Sequence, residues 1–239
     1  MNIQNILHQI QQSLFIQTLI GVLLLLMSSS VLAAFLKSRA KTEKTRALFD
    51  HIIIRINAWW IMAGILAIAF YGGLLTTVIL FFLLSMIALR EFLRLTPMQK
   101  SDRPLALIAF RIFVPLQYWF IYDNWYSMFT ILIPVYAFAI IPFVSALSGN
   151  THNFLARTSN FQWSLMLCAY SISYVPAFLI LPFKNEYANH NVQLILYFIL
   201  IVQLSDVLQF VFGKLFGKHP LAPNVSPNKT WEGLIGGII

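Results

Sequence analysis

Residues 14 to 36 read LFIQTLIGVLLLLMSSSVLAAFL, an uncharged run, and the ten residues after it, KSRAKTEKTR, hold five Lys and Arg. About 20 mostly apolar residues cross the hydrocarbon core of a bilayer, so this run predicts a transmembrane helix with its basic edge in the cytoplasm. Val31-Leu32-Ala33 resembles a signal cleavage site. However, no Lys or Arg precedes the run and a basic cluster follows it, the reverse of a secretory signal. The segment is therefore expected to remain as an anchor.

The rest of the chain repeats the pattern. From Ala58 to Leu89 there are 32 uncharged residues, too many for one span, and Tyr71-Gly72-Gly73 suits a tight turn inside them. Spans are expected at about 57–70 and 74–94, then at 105–122 (with Arg111 and Pro115), 126–147, 162–183 and 191–212. An eighth begins near Gly233 and runs to the end of the chain. The expected fold is an all-α polytopic membrane protein: one domain over 1–239, a bundle of seven complete transmembrane helices plus the start of an eighth, with 213–232 as a cytoplasmic substrate loop. Composition agrees, with 59% hydrophobic and 10% charged residues against about 25% charged in soluble domains.

The net charge of +8 would suggest nucleic acid in a soluble chain, but topology accounts for it here and no nucleic-acid partner is expected. Lys37, Arg39, Lys41, Lys44, Arg46 and Arg55 follow the first span, and Arg90, Arg94, Lys100 and Arg103 follow the third. Arg157 follows the fifth, and Lys214, Lys218 and Lys229 follow the seventh. With Arg111 in the cytoplasmic half of its helix, 15 of the 16 Lys and Arg fall on one side, Lys184 being the exception. The N-terminus is then outside. Tyr118, Trp119, Tyr122, Trp125 and Tyr126 around Asp123 form the aromatic belt of the outer boundary. Cys168 is the only cysteine, so no intrachain disulfide can form.

The five histidines show no metal-ligand spacing. Glu91 and Arg94, three apart, share a helix face as an ion pair or as an acid and base turned into a cavity. Asp206 is a stronger candidate. It lies seven residues before Gly213, roughly 10 Å inside its helix, where a carboxylate facing lipid would cost about 2.5 to 3.5 kcal/mol. Gln203, Gln209 and Gly213 fall within about 120° of it on the helix, a polar stripe of the kind that marks an ion, proton or substrate site. After the helix come Gly213-Lys214-Leu215-Phe216-Gly217-Lys218-His219-Pro220, Leu221-Ala222-Pro223, and Ser226-Pro227-Asn228-Lys229-Thr230-Trp231-Glu232-Gly233. Backbone amides, lysines and hydroxyls at this density can bind phosphate oxygens, although the spacing is not that of a Walker loop.

The stretch from Asp206 to Gly237 resembles phosphatidate cytidylyltransferase, also called CDP-diacylglycerol synthase. The upstream helices are similar to that family only as a hydrophobic bundle with an Ala-x-x-Glu helix end at Ala88 to Glu91. The resemblance implies a nucleotidyltransferase with CTP and phosphatidate as substrates, CDP-diacylglycerol and pyrophosphate as products, and a divalent cation, Mg2+, as cofactor. It implies catalytic roles for Asp206 and Lys229, with Asp206 also the metal ligand. Lys214, Lys218, Ser226, Asn228, Thr230 and Glu232 are implied to bind substrate. The setting would be the bacterial inner membrane, with membrane lipid as a partner and a homodimer left open.

The family's further C-terminal signature would lie beyond the eighth helix. The sequence, ending at Ile239, is therefore expected to be truncated before it and not to turn over alone. The alternative is a relative that binds anionic lipid or nucleotide without turnover. A transporter is less well matched, since no internal repeat is present.

Overall fold

The computed structural model describes residues 3–40, 42–182 and 190–238. Lys41, Phe183, Lys184 and Ile239, which belong to the expected loops and spans, lie outside the described residues. Seven helices in the described range are long and apolar enough to cross a membrane, and the protein is an all-α polytopic membrane protein, as its hydropathy predicts. The helices are α1 (Ile3–Arg39), α2 (Glu43–Tyr71), α3 (Gly73–Leu95), α4 (Arg103–Tyr122), α5 (Tyr126–Leu147), α6 (Phe154–Ile180) and α7 (Asn191–Phe216). A hairpin of β1 (Pro220–Ala222) and β2 (Ser226–Thr230) follows, and then α8 (Trp231–Ile238). The chain divides into two compact units, 1–188 and 189–239.

In the first unit α1 and α2 pair, α2 leads to α3, and α3 to α6 pack into a bundle. Its centre is Leu89, Val114, Gln117, Ile121, Phe129, Ile133, Leu165 and Ala169, all sealed from the surface. Helix α2 starts well before the expected residue 57. Thr42 caps it, its Oγ1 accepting from the Thr45 amide at 3.4 Å, and charged residues limit a membrane span without ending a helix. Lys37 and Asp50 close the α1–α2 connection as an ion pair at 2.5 Å. The expected turn at Tyr71–Gly73 is present. Gly73 takes φ +81°, a left-handed conformation cheap only for glycine, and the Oγ1 atoms of Thr76 and Thr77 donate to the Ala69 carbonyl at 2.6 and 3.1 Å.

Three consecutive spans contain a π-helical turn: Ala109–Phe113 in α4, Leu132–Ala137 in α5 and Met166–Ser171 in α6. Prolines lie in or near these turns, and a proline offers no N–H to the carbonyl four residues back. In a bilayer that carbonyl needs another partner. Pro134 frees the Thr130 carbonyl, which accepts from the Tyr170 hydroxyl at 3.2 Å. Pro142 frees the Phe138 carbonyl, which accepts from Gln162 Nε2 at 3.0 Å. Gln117 Nε2 donates to the Phe129 carbonyl and to Ser173 Oγ, both at 3.1 Å. Polar side chains thus join α4, α5 and α6 across an apolar interior.

Arg157 was expected in a loop, with its span starting at 162. Instead it lies in the first turn of α6, 4% exposed, beside Asp102, 1% exposed. Arg157 Nε donates to Asp102 Oδ1 at 2.7 Å and Nη1 to the Asn150 carbonyl at 2.9 Å. The Nη2 atom, 2.6 Å from Oδ1, makes a charge contact without hydrogen-bond geometry. Asp102 Oδ2 accepts from the Gln99 amide at 2.8 Å, and Asn150 Nδ2 donates to Gln99 Oε1 at 2.6 Å. This clasp fastens the α3–α4 connection to the α5–α6 connection, so both lie at one end of the bundle.

In the second unit α7 carries on to Phe216, beyond the expected end at 212, and α8 folds back along its last turns. Small residues set the approach. A Cβ at Gly233 would lie 2.7 Å from the Gln209 carbonyl oxygen and 3.1 Å from Gly213 Cα. Ser205 Oγ donates to the Gly237 carbonyl at 2.7 Å. Gly233 and Gly237, four apart, form the small-residue face that lets helices touch backbone to backbone.

Candidate active site

Glu91 and Arg94 lie on α3 in the first unit as an exposed ion pair at 3.8 Å, whereas the other residues singled out from the sequence lie in the second unit, on α7, the α7–β1 connection, the hairpin and the start of α8. The stretch expected as a plain loop is an antiparallel ladder in which Pro220 faces Thr230 and Ala222 faces Ser226. It is closed by a turn in which the Val225 amide donates to the Ala222 carbonyl at 3.0 Å. Pro227 is tolerated because a two-stranded ribbon is all edge. The period of two along β2 puts Ser226, Asn228 and Thr230 on one face and Lys229 on the other.

Thr230 is the N-cap of α8, its Oγ1 accepting from the Gly233 amide at 3.2 Å. It also packs near Gly213, where an added Cβ would lie 3.3 Å from its Oγ1. Glu232 is committed within the protein. Its Oε2 accepts from the amides of Lys218 and His219 at 3.1 and 3.3 Å, and its Oε1 pairs with His219 Nδ1 at 2.6 Å. The His219 ring and then the amides hold the Glu232 carboxyl at about 2, well below the usual carboxylate range. Two amides that could have met a phosphate therefore meet a carboxylate of the same chain.

Lys214, Lys218, Asn228 and Lys229 are exposed, and Ser226 is half-buried. Lys214 lies in the last turn of α7, where a cation is favoured by the helix dipole. Asp206 is exposed two turns earlier on α7. The polar stripe expected to surround it is divided: Gln209 and Gly213 pack against α8 together with Ser205. Ser205 and His219 escaped the sequence reading. The spacing of Ser205, Gln209 and Gly213 opposite the glycines of α8 was the available signal for the first. Nothing local marks His219, whose partner is thirteen residues away.

Asp206 and Glu232 are the acidic residues of the described part of this unit. Among the described residues no three His, Cys, Asp or Glu gather to hold a metal, so no protein-built cage is present. Magnesium commonly binds through one or two carboxylates plus substrate phosphates and water. Asp206 fits that role by its charge and exposure, and both oxygens of Glu232 are engaged by Lys218 and His219.

A polytopic helical membrane protein that carries a lysine-bearing motif from the end of α7 to β2 is the class these observations define. The model of the cytidylyltransferase family matches residues 53–239, and the chain belongs to that family. It is 34% identical over 182 residues to a phosphatidate cytidylyltransferase of Staphylococcus haemolyticus, covering 73% of this chain and 62% of that protein. It is 31% identical over 179 residues to one of Staphylococcus epidermidis, with the same coverage. An uncharacterized protein of Escherichia coli K12, YnbB, is 29% identical over 188 residues, 79% of this chain and 60% of that protein. The chain thus spans about three fifths of the length of these relatives. No solved structure matches it.

Proposed function

We propose that the protein is a CTP:phosphatidate cytidylyltransferase of a bacterial inner membrane. The observation that carries this reading is the α7–hairpin–α8 module, in which Lys214, Lys218, Asn228 and Lys229 are exposed and Asp206 stands exposed on α7. The names of the staphylococcal relatives support CTP and phosphatidate as the substrates.

In the reaction a phosphatidate oxygen attacks the α-phosphorus of CTP. The bond from that phosphorus to the oxygen bridging to the β-phosphorus breaks, and pyrophosphate leaves with the electron pair. Attack on a polyanion requires positive charge fixed in advance. Lys229 contacts the nucleotide phosphates, and Lys214 and Lys218 screen them. Ser226 and Asn228 donate hydrogen bonds from the other face of β2. Thr230 and Glu232 serve substrate by holding the loop, one as a helix cap and the other as the brace of His219. Asp206 would hold a magnesium ion, which when bound would supply neutralisation of phosphate charge. The distribution of basic residues supports an N-terminus outside and 213–232 in the cytoplasm.

The test is transfer of α-labelled CTP into lipid, with pyrophosphate release followed in parallel. In the protein at its natural full length, Asp206→Asn should abolish magnesium-dependent turnover and Lys229→Ala should raise KM for CTP, both proteins still inserting. Normal activity in both variants would reject the site. CTP binding without transfer by the protein at its natural full length would favour a non-catalytic relative.

A further inference from the structure

The α4 helix carries an arginine that the cytidylyl-transfer reading does not use. Arg111 lies eight residues inside the start of α4, about 12 Å along the axis, in the π-helical turn Ala109–Phe113. It is exposed, and its neighbours on the surface are apolar, Leu107 being 51% and Ile112 46% exposed. Among the described residues it has no ion-pair or hydrogen-bond partner. By contrast, Gln117, Gln162 and Tyr170 of the same unit each donate a hydrogen bond to backbone.

A guanidinium at that depth is permanently charged, and facing hydrocarbon it must reach water or an anion. Two features point to where. Arg103, Leu107 and Arg111 follow at intervals of four and are all exposed, so they form one face of α4, with Arg103 at its end. Helical side chains lean toward the helix N-terminus, which turns Arg111 toward Arg103.

We propose that Arg111, assisted by Arg103, is a binding site for the phosphate of an anionic phospholipid approaching α4 from the bilayer. The anion that can reach a lipid-facing arginine is a headgroup, and the guanidinium fork matches a phosphate through two parallel hydrogen bonds. Arg103 at the boundary meets the phosphate first. Arg111 draws it below the headgroup plane, with acyl chains lying over Leu107 and Ile112. The site stands apart from the cytidylyl-transfer reading and is tested by binding alone.

Native mass spectrometry of the detergent-purified full chain, titrated with dioleoyl-phosphatidate, dioleoyl-phosphatidylglycerol and dioleoyl-phosphatidylcholine, reads it directly. The wild-type chain should retain the two anionic lipids in preference to phosphatidylcholine. Arg111→Gln should weaken them about tenfold, the order expected for one charge-assisted contact. Arg103→Gln should weaken them less, and Arg111→Lys should retain part of the binding. Equal loss of both anionic lipids identifies a general anionic-lipid site, while selective loss of phosphatidate identifies a phosphomonoester site; either supports the proposal. Absence of headgroup preference in the wild type overturns it without any substitution. An Arg111→Gln chain that stays monodisperse and binds all three lipids as before overturns it as well.

Discussion

Oε1 of Glu232, in the first turn of α8, lies 2.6 Å from Nδ1 of His219, the residue that leads into β1. This contact turns the stretch between α7 and β1 into part of the α8 cap, and it makes the hairpin sensitive to acid.

The folded Glu232 carboxyl stands at about 2 against an ordinary value of 4.5. A depressed carboxylate contributes stability that is fully present above the unfolded value and is lost as pH falls through the folded one. The brace is therefore intact above pH 4.5 and fails on the way to about 2. Deuterium uptake over 213–232, corrected for intrinsic rates, should rise through that window in the wild type. In Glu232→Gln it should already be raised at neutral pH, at Lys218 and His219. Uptake indifferent to both changes would mean that the contact does not hold the loop.

Alanine at Gly233 should break the α7–α8 approach. The added Cβ meets backbone atoms, the Gln209 carbonyl oxygen at 2.7 Å and Gly213 Cα at 3.1 Å, and overpacking of this kind costs about 1 to 3 kcal/mol. Gly21→Ala and Gly64→Ala meet nothing within 4 Å and should be neutral or stabilising by up to about 1 kcal/mol. Thermal melting in detergent separates the two groups, and equal shifts for all three would contradict the packing.

Either Asp102→Asn or Arg157→Gln leaves a buried partner uncompensated, with an expected loss of about 3 to 5 kcal/mol. The double replacement Asp102→Leu with Arg157→Met should recover much of it. Single variants that melt like the wild type would show that the clasp carries no weight.

Cysteines at Asn228 and Asn124, introduced into a Cys168→Ser chain, should react with an impermeant thiol reagent from opposite sides of the membrane. Labelling from the same side would overturn the proposed orientation.

The spans could be read from hydropathy because crossing lipid is a local property: twenty apolar residues suffice, wherever the rest of the chain lies. The Gly72–Gly73 turn was legible for a similar reason, two glycines in an otherwise unbroken run. Arg157 was misplaced because its burial depends on Asp102, 55 residues earlier. A lone arginine next to polar residues reads as loop until that partner is known. The hairpin was missed because β1 and β2 are short and contain two prolines, and their register is set by pairing rather than by alternation. In the candidate site the lysines and Asp206 were visible as charges near a membrane boundary. The division of labour between Lys229 outward and Thr230 inward was not, since it follows from a strand that the sequence did not announce.

Pro134 and Pro142 leave α5 with two bare carbonyl groups whose partners, Tyr170 and Gln162, belong to α6. On the ribosome the fifth span is finished before the sixth exists. Released alone into lipid it would carry two unmatched polar groups, each worth several kcal/mol. The fifth and sixth spans together are therefore the smallest segment in which both carbonyls are matched, and the order of synthesis makes the second arm complete the first.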